Sequence, residues 1–160
     1  MLLFILFICP NFAIASENFN IENLFKKELY EEAEFTQVPR GLIISVEEDL
    51  LFDGCETEIK KSGQSILDRI SYILKNLDNN CVVENHTQKV CSNKLENWEL
   101  AMIRSGNIIE YMIKCNSVKP EQLFDIGYGE YMPFNEQVNP NAEKLNNRVD
   151  FVIINYEAKR

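Results

Sequence analysis

The stretch that decides the fold runs from residue 41 to residue 86 and reads GLIISVEEDLLFDGCETEIKKSGQSILDRISYILKNLDNNCVVENH. Its first six residues, 41–46, are mostly apolar and branched, which predicts a buried strand. Across residues 56–77 the apolar positions recur mainly at helical spacings, which predicts a helix with a wide buried stripe. Residues 81–86 form a second predicted strand. The stretch is therefore a strand-helix-strand unit.

The rest of the chain continues this alternation. Asn97 is a good cap residue for a helix that runs to about residue 115. Residues 123–126 and 149–156 are predicted strands, and the polar stretch 130–148 is a long loop of the kind that is usually functional. The order β-α-β-α-β-β predicts an α+β fold: a two-layer sandwich with two main helices packed on a mixed four-stranded sheet.

Size and charge limit the classes of partner. The 160 residues suit one domain, and 46% of them are apolar, enough for a full hydrophobic core. Acidic side chains outnumber basic ones by 25 to 16, which gives a formal net charge of −9. This charge disfavours nucleic acid and anionic lipid surfaces as partners, so an anionic ligand must be held locally.

The first fifteen residues are predicted to be a separate segment. Residues 1–15 carry no charged side chain and end in a small-x-small pattern, which is typical of a secretory signal cleaved after Ala15. As a helix they would span ~22 Å, less than the ~30 Å hydrocarbon core, so a cleaved signal is favoured over a membrane anchor. The bulky residues 6–8 before Cys9 disfavour lipidation.

Residues 16–38 are predicted to be an acidic linker or a short helix that leads to the domain. Their few apolar side chains stand among Glu, Asn and Lys at spacings that suit a short amphipathic helix. Pro39 interrupts this pattern. The domain proper is therefore assigned to residues 39–160.

Four cysteines remain after the predicted signal. In an oxidising compartment an even number of cysteines favours two disulfides. The intervals contain no close pair, which disfavours a zinc site. Three pairings are open, and the spacing alone does not choose between them. The cysteines are Cys55, Cys81, Cys91 and Cys115.

The residues that carry chemistry favour binding over catalysis. His86 is the single histidine, and no nucleophile motif such as Gly-x-Ser-x-Gly accompanies it, so it is interpreted as a hydrogen-bonded residue at a strand end. No cofactor motif is present in the sequence. Asn97, Leu100 and Arg104 lie near one face of the second helix. There Arg104 could hold a ligand carboxylate bidentately or form an ordinary ion pair, and spacing alone leaves both open.

A family resemblance decides between these interpretations. Residues 40–154 resemble the OmpA-like C-terminal domain, which is shared by OmpA, the peptidoglycan-associated lipoprotein and MotB. The form Asn97-Trp98-Glu99-Leu100 is most similar to the MotB branch. The motifs that carry the resemblance are residues 41–45, 50–53, 97–100, 104–105, 127–130 with Pro133, and 146–150.

The resemblance implies non-covalent binding of peptidoglycan through the diaminopimelate of the stem peptide. Gln88 stands where the family has an aspartate, and Asn147 replaces the first of two arginines. A neutral amide holds an ammonium group less strongly than a carboxylate does, so weakened affinity is expected. The implied binding residues are Thr87, Gln88, Asn97, Leu100, Arg104 and Arg148.

The resemblance also implies two disulfides, Cys55–Cys91 and Cys81–Cys115, at opposite ends of the strands. The resulting hypothesis is a non-catalytic periplasmic module that binds peptidoglycan without a cofactor. It has no nucleic-acid partner, and its mature chain has no transmembrane segment. The alternative is an interaction subunit of an envelope complex, such as a stator or secretion apparatus, that keeps the fold without binding the wall.

Overall fold

The computed structural model describes residues 21–89, 91, 95–136 and 140–154. The predicted signal, residues 1–15, lies outside them. In the described part, five strands form one mixed sheet in the order β1-β2-β5-β3-β4. Strands β3 and β4 pair in parallel, and every other neighbouring pair is antiparallel. The strands are β1 (Ala33–Val38), β2 (Gly41–Glu47), β3 (Cys81–His86), β4 (Leu123–Gly129) and β5 (Arg148–Ile154).

Two long helices form the second layer. They are α3 (Lys61–Leu74) and α4 (Asn97–Asn116), and α4 packs mainly on β3 and β4. Three short helices accompany them: α1 (residues 21–28), α2 (Glu48–Leu51) and α5 (Pro140–Asn146). Alternate strand residues enter the core beneath α3 and α4, including Ile44, Val83 and Phe151. The other residues of each strand lie on the opposite side, which we call the open face.

The predicted α+β two-layer class is confirmed, with five strands in place of four. The additional strand is β1, which pairs with β2 from Ala33↔Val46 to Val38↔Gly41. Phe25 and Leu29, which precede it, are completely buried in the core. The described part of the segment predicted as a linker or short helix is therefore part of the domain. Its apolar residues are too few to predict a strand, whereas the backbone of β2 supplies the hydrogen-bonding edge that β1 needs.

Two local predictions also need correction. Asn97 is the first residue of α4, and Glu96 is its cap, because Glu96 and Glu99 form a reciprocal capping box. The predicted loop 130–148 contains helix α5. Both differences matter for the site because these segments flank the end of β3.

One of the two predicted disulfides is present. Cys55 and Cys91 are bonded, whereas Cys81 and Cys115 are free thiols, so the second pairing is wrong in this structure. Cys81 is completely buried beneath the helices, and Cys115 is exposed on α4. Burial raises the pKa of the Cys81 thiol, so this side chain is a small, inert core residue.

Candidate functional site

A groove of about 810 Å³ lies where three segments meet near the end of β3. The segments are α2 with the turn that follows it, the loop after β3, and α5 with the residue after it. We call this cavity the loop groove. It is lined by Glu47, Asp49, Gly54, Cys55, Gln88, Lys89, Asn141, Glu143, Lys144 and Asn147.

Amide hydrogen bonds fix the wall of the loop groove around Gln88. The Gln88 backbone N–H donates to Asn147 Oδ1 at 2.7 Å, and Asn146 Nδ2 donates to Gln88 Oε1 at 3.2 Å. Asn147 Nδ2 in turn donates to the Glu143 backbone carbonyl at 3.0 Å, a bond that ties the residue after α5 to that helix. The loop after β3 is therefore held to α5 through the two asparagines that precede β5.

The loop groove carries charges of both signs. Lys89 forms an ion pair with Asp49, and Lys144 Nζ lies 2.8 Å from Glu47 Oε1. Glu143 adds a third carboxylate to the lining. Asp49, Glu47 and Lys144 are exposed, so water screens these pairs and each contributes little to stability. A ligand with its own ammonium and carboxylate can therefore replace these pairs at small cost.

The disulfide Cys55–Cys91 joins two walls of the groove. Cys55 follows the turn after α2, and Cys91 belongs to the segment after β3. A covalent link between them limits how far the walls can separate. Less ordering is then needed when a ligand binds.

Arg104 lies beneath this groove in a completely buried ion pair. Its Nη1 is 2.5 Å from Glu48 Oε1, and neither side chain has any exposed area. Arg104 also donates to the Gly54 and Glu56 carbonyls, both at 2.8 Å, and its guanidinium stacks on Phe52. It therefore holds the turn after α2 against α4.

Glu48 also binds the loop after β3. Thr87 Oγ1 donates to Glu48 Oε2 at 3.2 Å, and Lys89 Nζ lies 3.6 Å from the same oxygen. Burial raises the pKa of the Glu48 carboxyl, and the positive charges of Arg104 and Lys89 oppose this shift. Glu48 thus connects α2, α4 and the β3 loop through one carboxylate.

Arg148 projects from the open face of the sheet, opposite the face on which α4 packs. Its neighbours Val149 and Phe151 point into the core, which directs Arg148 and Asp150 to the other side. Arg148 Nε donates to Asp150 Oδ2 at 3.0 Å, and its guanidinium lies over the Phe134 ring. Arg148 and Arg104 therefore lie on opposite sides of the sheet, and each is already paired with an internal carboxylate, Asp150 and Glu48 respectively.

The six residues assigned from the resemblance lie in four places. Gln88 lines the loop groove, whereas Thr87, Leu100 and Arg104 are completely buried below it. Asn97 lies at the start of α4. Arg148 lines a neighbouring cavity of about 400 Å³ beside α5, which shares Glu47, Asn141 and Lys144 with the loop groove. Sequence reasoning missed Glu48, Lys89 and Lys144, which the structure places at or below the groove. No pattern in the sequence marks Glu48 as buried.

The fold and the groove define an α+β domain with a mixed-charge cavity at the end of its parallel strand pair. A family model for the OmpA family matches residues 51–148, which is more than half of the chain. The chain belongs to the OmpA family. Among the described residues, no helix combines the length and the apolar character needed to cross a bilayer.

Two curated relatives from Bacillus subtilis match the chain at 26% identity. The uncharacterized protein YtxE aligns over 136 residues, which are 82% of this chain and 56% of YtxE. Motility protein B aligns over 139 residues, which are 84% of this chain and 53% of that protein. The chain therefore spans about half the length of these relatives, and the predicted similarity to the MotB branch is confirmed.

Solved structures confirm the fold. A MotB-like protein from Desulfovibrio vulgaris superposes with a TM-score of 0.81 at 19% identity, covering 90% of this chain and 95% of its own. The cell wall anchor of the type VI secretion system from Pseudomonas aeruginosa superposes with a TM-score of 0.73 at 13% identity. That match covers 85% of this chain and 97% of the anchor.

Proposed function

We propose that the chain is a non-catalytic periplasmic module that binds peptidoglycan, and that the loop groove receives the stem peptide. Membership of the OmpA family and likeness to a cell wall anchor support a wall-binding role. The uncharged residues 1–15, interpreted as a secretory signal, support the periplasm as its location. The observation that carries the proposal is the mixed charge of the groove.

Diaminopimelate carries an ammonium and a carboxylate on the same free end. Lys89 and Lys144 suit the carboxylate, and Asp49 and Glu47 suit the ammonium. Each ligand charge would take the place of one member of an existing protein ion pair. The partner left in that pair would therefore still face an opposite charge. Such a groove selects a zwitterion locally, although the chain as a whole repels anions.

The residues implied by the family resemblance take two different roles in this proposal. Gln88 contacts the ligand through its side-chain amide, which is neutral and therefore gives weakened affinity. Thr87, Leu100 and Arg104 support the groove from below and do not touch the ligand, because they are completely buried. Arg104 is thus a positioning residue that acts through Glu48 and the turn after α2.

Titration of a diaminopimelate-containing stem peptide into the purified chain tests this assignment. Lys89→Ala should weaken binding by roughly tenfold, the loss expected for about 1.4 kcal/mol of charge-assisted hydrogen bonding. Lys119→Ala, which removes the same charge at an exposed position outside the groove, should leave the Kd unchanged. Equal Kd values for the wild type and Lys89→Ala would reject the groove as the binding site.

An interaction subunit of an envelope complex is the second candidate function. The segment after β4 exposes three large apolar side chains, Tyr131, Met132 and Phe134, of which Tyr131 is 70% exposed. Clustered exposed apolar side chains are typical of protein-protein contacts. The same titration separates the two functions, since a scaffold without wall binding would show no heat with any stem peptide.

A further inference from the structure

A second cluster of polar side chains lies on the open face of the sheet, and none of its members lines the loop groove. It consists of Glu84 and His86 on β3 and Asp150 on β5, where Glu84 and Asp150 are paired in register. These side chains are 3%, 3% and 4% exposed. One potential ligand atom from each lies within 4.8 Å of the others.

Three potential ligand atoms in this cluster have no hydrogen bond of good geometry within the part of the chain that the structure describes. They are both ring nitrogens of His86, which also interacts with the Met132 backbone, and Oδ1 of Asp150. Buried polar atoms nearly always have partners, so three such atoms in one cluster need an explanation. His86 Nε2 lies 3.5 Å from Asp150 Oδ2. This is close to the separation of about 3.4 Å between two ligand atoms on a tetrahedral zinc ion with bonds of ~2.1 Å. The cluster as a whole spans up to 4.8 Å, so its side chains would draw together around an ion.

Two arginines already neutralise the carboxylates and would compete with a cation. Arg40 donates to both Glu84 oxygens, at 2.7 and 2.9 Å, and Arg148 donates to Asp150 Oδ2. The Arg40 side chain is 48% exposed, so it can move into water when a metal takes the Glu84 oxygens. Arg148 Nε bonds Asp150 Oδ2, the oxygen that lies 3.5 Å from His86 Nε2, so either Arg148 shifts or the ion binds Oδ1. Both arginines therefore compete with the ion.

We propose that Glu84, His86 and Asp150 bind one divalent transition metal ion of the zinc type, with water completing the coordination. One imidazole nitrogen with two carboxylate oxygens suits zinc, whereas calcium and magnesium prefer oxygen ligands alone. The ion would connect β3 to β5 beneath Tyr128, whose ring stacks on His86 with centroids 4.9 Å apart. None of the three residues lines the loop groove, so zinc binding and peptide binding can be measured separately.

Calorimetric titration of ZnCl2 into the tag-free, EDTA-treated chain tests the proposal. The exposed thiol is removed by Cys115→Ser in every variant, so that it does not bind zinc. One ion should bind per chain, and MgCl2 should give no heat. Loss of a group that only hydrogen-bonds to a metal ligand typically weakens metal binding by ~10–100-fold. His86→Gln removes a ligand itself and should weaken zinc binding by more than this. Arg40→Ala should tighten it several-fold, which a merely structural cluster would not show.

The single histidine makes NMR an independent readout. The imidazole signals should shift on addition of one equivalent of zinc to the Cys115→Ser chain, in which the residues of the cluster are all unchanged. Stationary imidazole signals, no zinc binding, or unchanged zinc affinity in a folded His86→Gln variant would each overturn the proposal.

Discussion

At the residue scale, the most informative side chain is Arg104, whose partner was not predictable from the sequence. The spacing on α4 placed Arg104 near Asn97 and Leu100, but it left a ligand contact and an ion pair equally open. Glu48 decides between them because it is completely buried against Arg104. A carboxylate that directly follows a strand normally faces water, so its burial depends on tertiary packing that local patterns do not contain.

Removing one member of this buried pair should strongly destabilise the domain. Arg104→Met should lower the free energy of unfolding by roughly 3–5 kcal/mol, because Glu48 remains buried without its partner. The double variant Glu48→Leu with Arg104→Met should recover part of this loss. Urea unfolding of the three proteins measures the effect. Arg104→Met with wild-type stability would mean that the pair is not buried as described.

A second residue-scale prediction concerns Gln88, which lines the groove in place of an acidic residue. Gln88→Asp should tighten binding of the diaminopimelate-containing peptide, since a carboxylate bonds an ammonium about twice as strongly as an amide does. Asn79→Asp adds the same charge before β3, whereas Gln88 follows that strand, and Asn79 is outside the groove lining, so this variant serves as the control. The account would be contradicted by equal calorimetric Kd values for Gln88→Asp and the wild type.

At the element scale, α4 packs so closely on β4 that glycine is required between them. A Cβ on Gly127 would lie 2.4 Å from the Met102 backbone nitrogen, closer than real contacts allow. A Cβ on Gly129 would lie 2.5 Å from the Trp98 nitrogen, and Gly129 also has a φ of 57°. These two glycines set the position of the first turns of α4, and thus of Leu100 and Arg104 below the groove.

Two alanine substitutions test this packing. Gly127→Ala should destabilise the domain by about 1–3 kcal/mol, the usual cost of overpacking. Gly106→Ala is the matched control, because it lies in the interior of α4 and a Cβ there would meet no other element within 4 Å. That variant should gain about 0.5–1 kcal/mol from better helix propensity. A higher unfolding temperature for Gly127→Ala than for Gly106→Ala would contradict the close contact between Gly127 and Met102.

The disulfide is the other element-scale feature with a measurable effect. Replacing Cys55 and Cys91 together with serine should lower the free energy of unfolding by about 2–4 kcal/mol. It should also weaken binding of the stem peptide, because both walls of the groove become free to separate. Cys115→Ser removes an exposed free thiol and should change neither quantity. Wild-type affinity for the stem peptide in the double serine variant would mean that the disulfide does not contribute to binding.

At the scale of the whole molecule, the fold was more predictable than the site. The strong apolar runs of β2, β3 and β5 and the helical stripes of α3 and α4 are local signals, and the structure contains all of them. Strand β1 was missed because AEFTQV has only a weak apolar pattern and depends on β2 for its pairing. The site depends on longer-range placement, which combines α2, the β3 loop and α5 from distant parts of the sequence.

The most direct test of the wall-binding account is co-sedimentation of the full chain with purified sacculi that contain diaminopimelate. The wild type and Lys119→Ala should pellet equally, and a Lys89→Ala/Lys144→Ala variant with unchanged thermal stability should remain largely in the supernatant. Equal pelleting of the double variant and the wild type, or no pelleting of the wild type, would contradict the claim that the loop groove binds the cell wall.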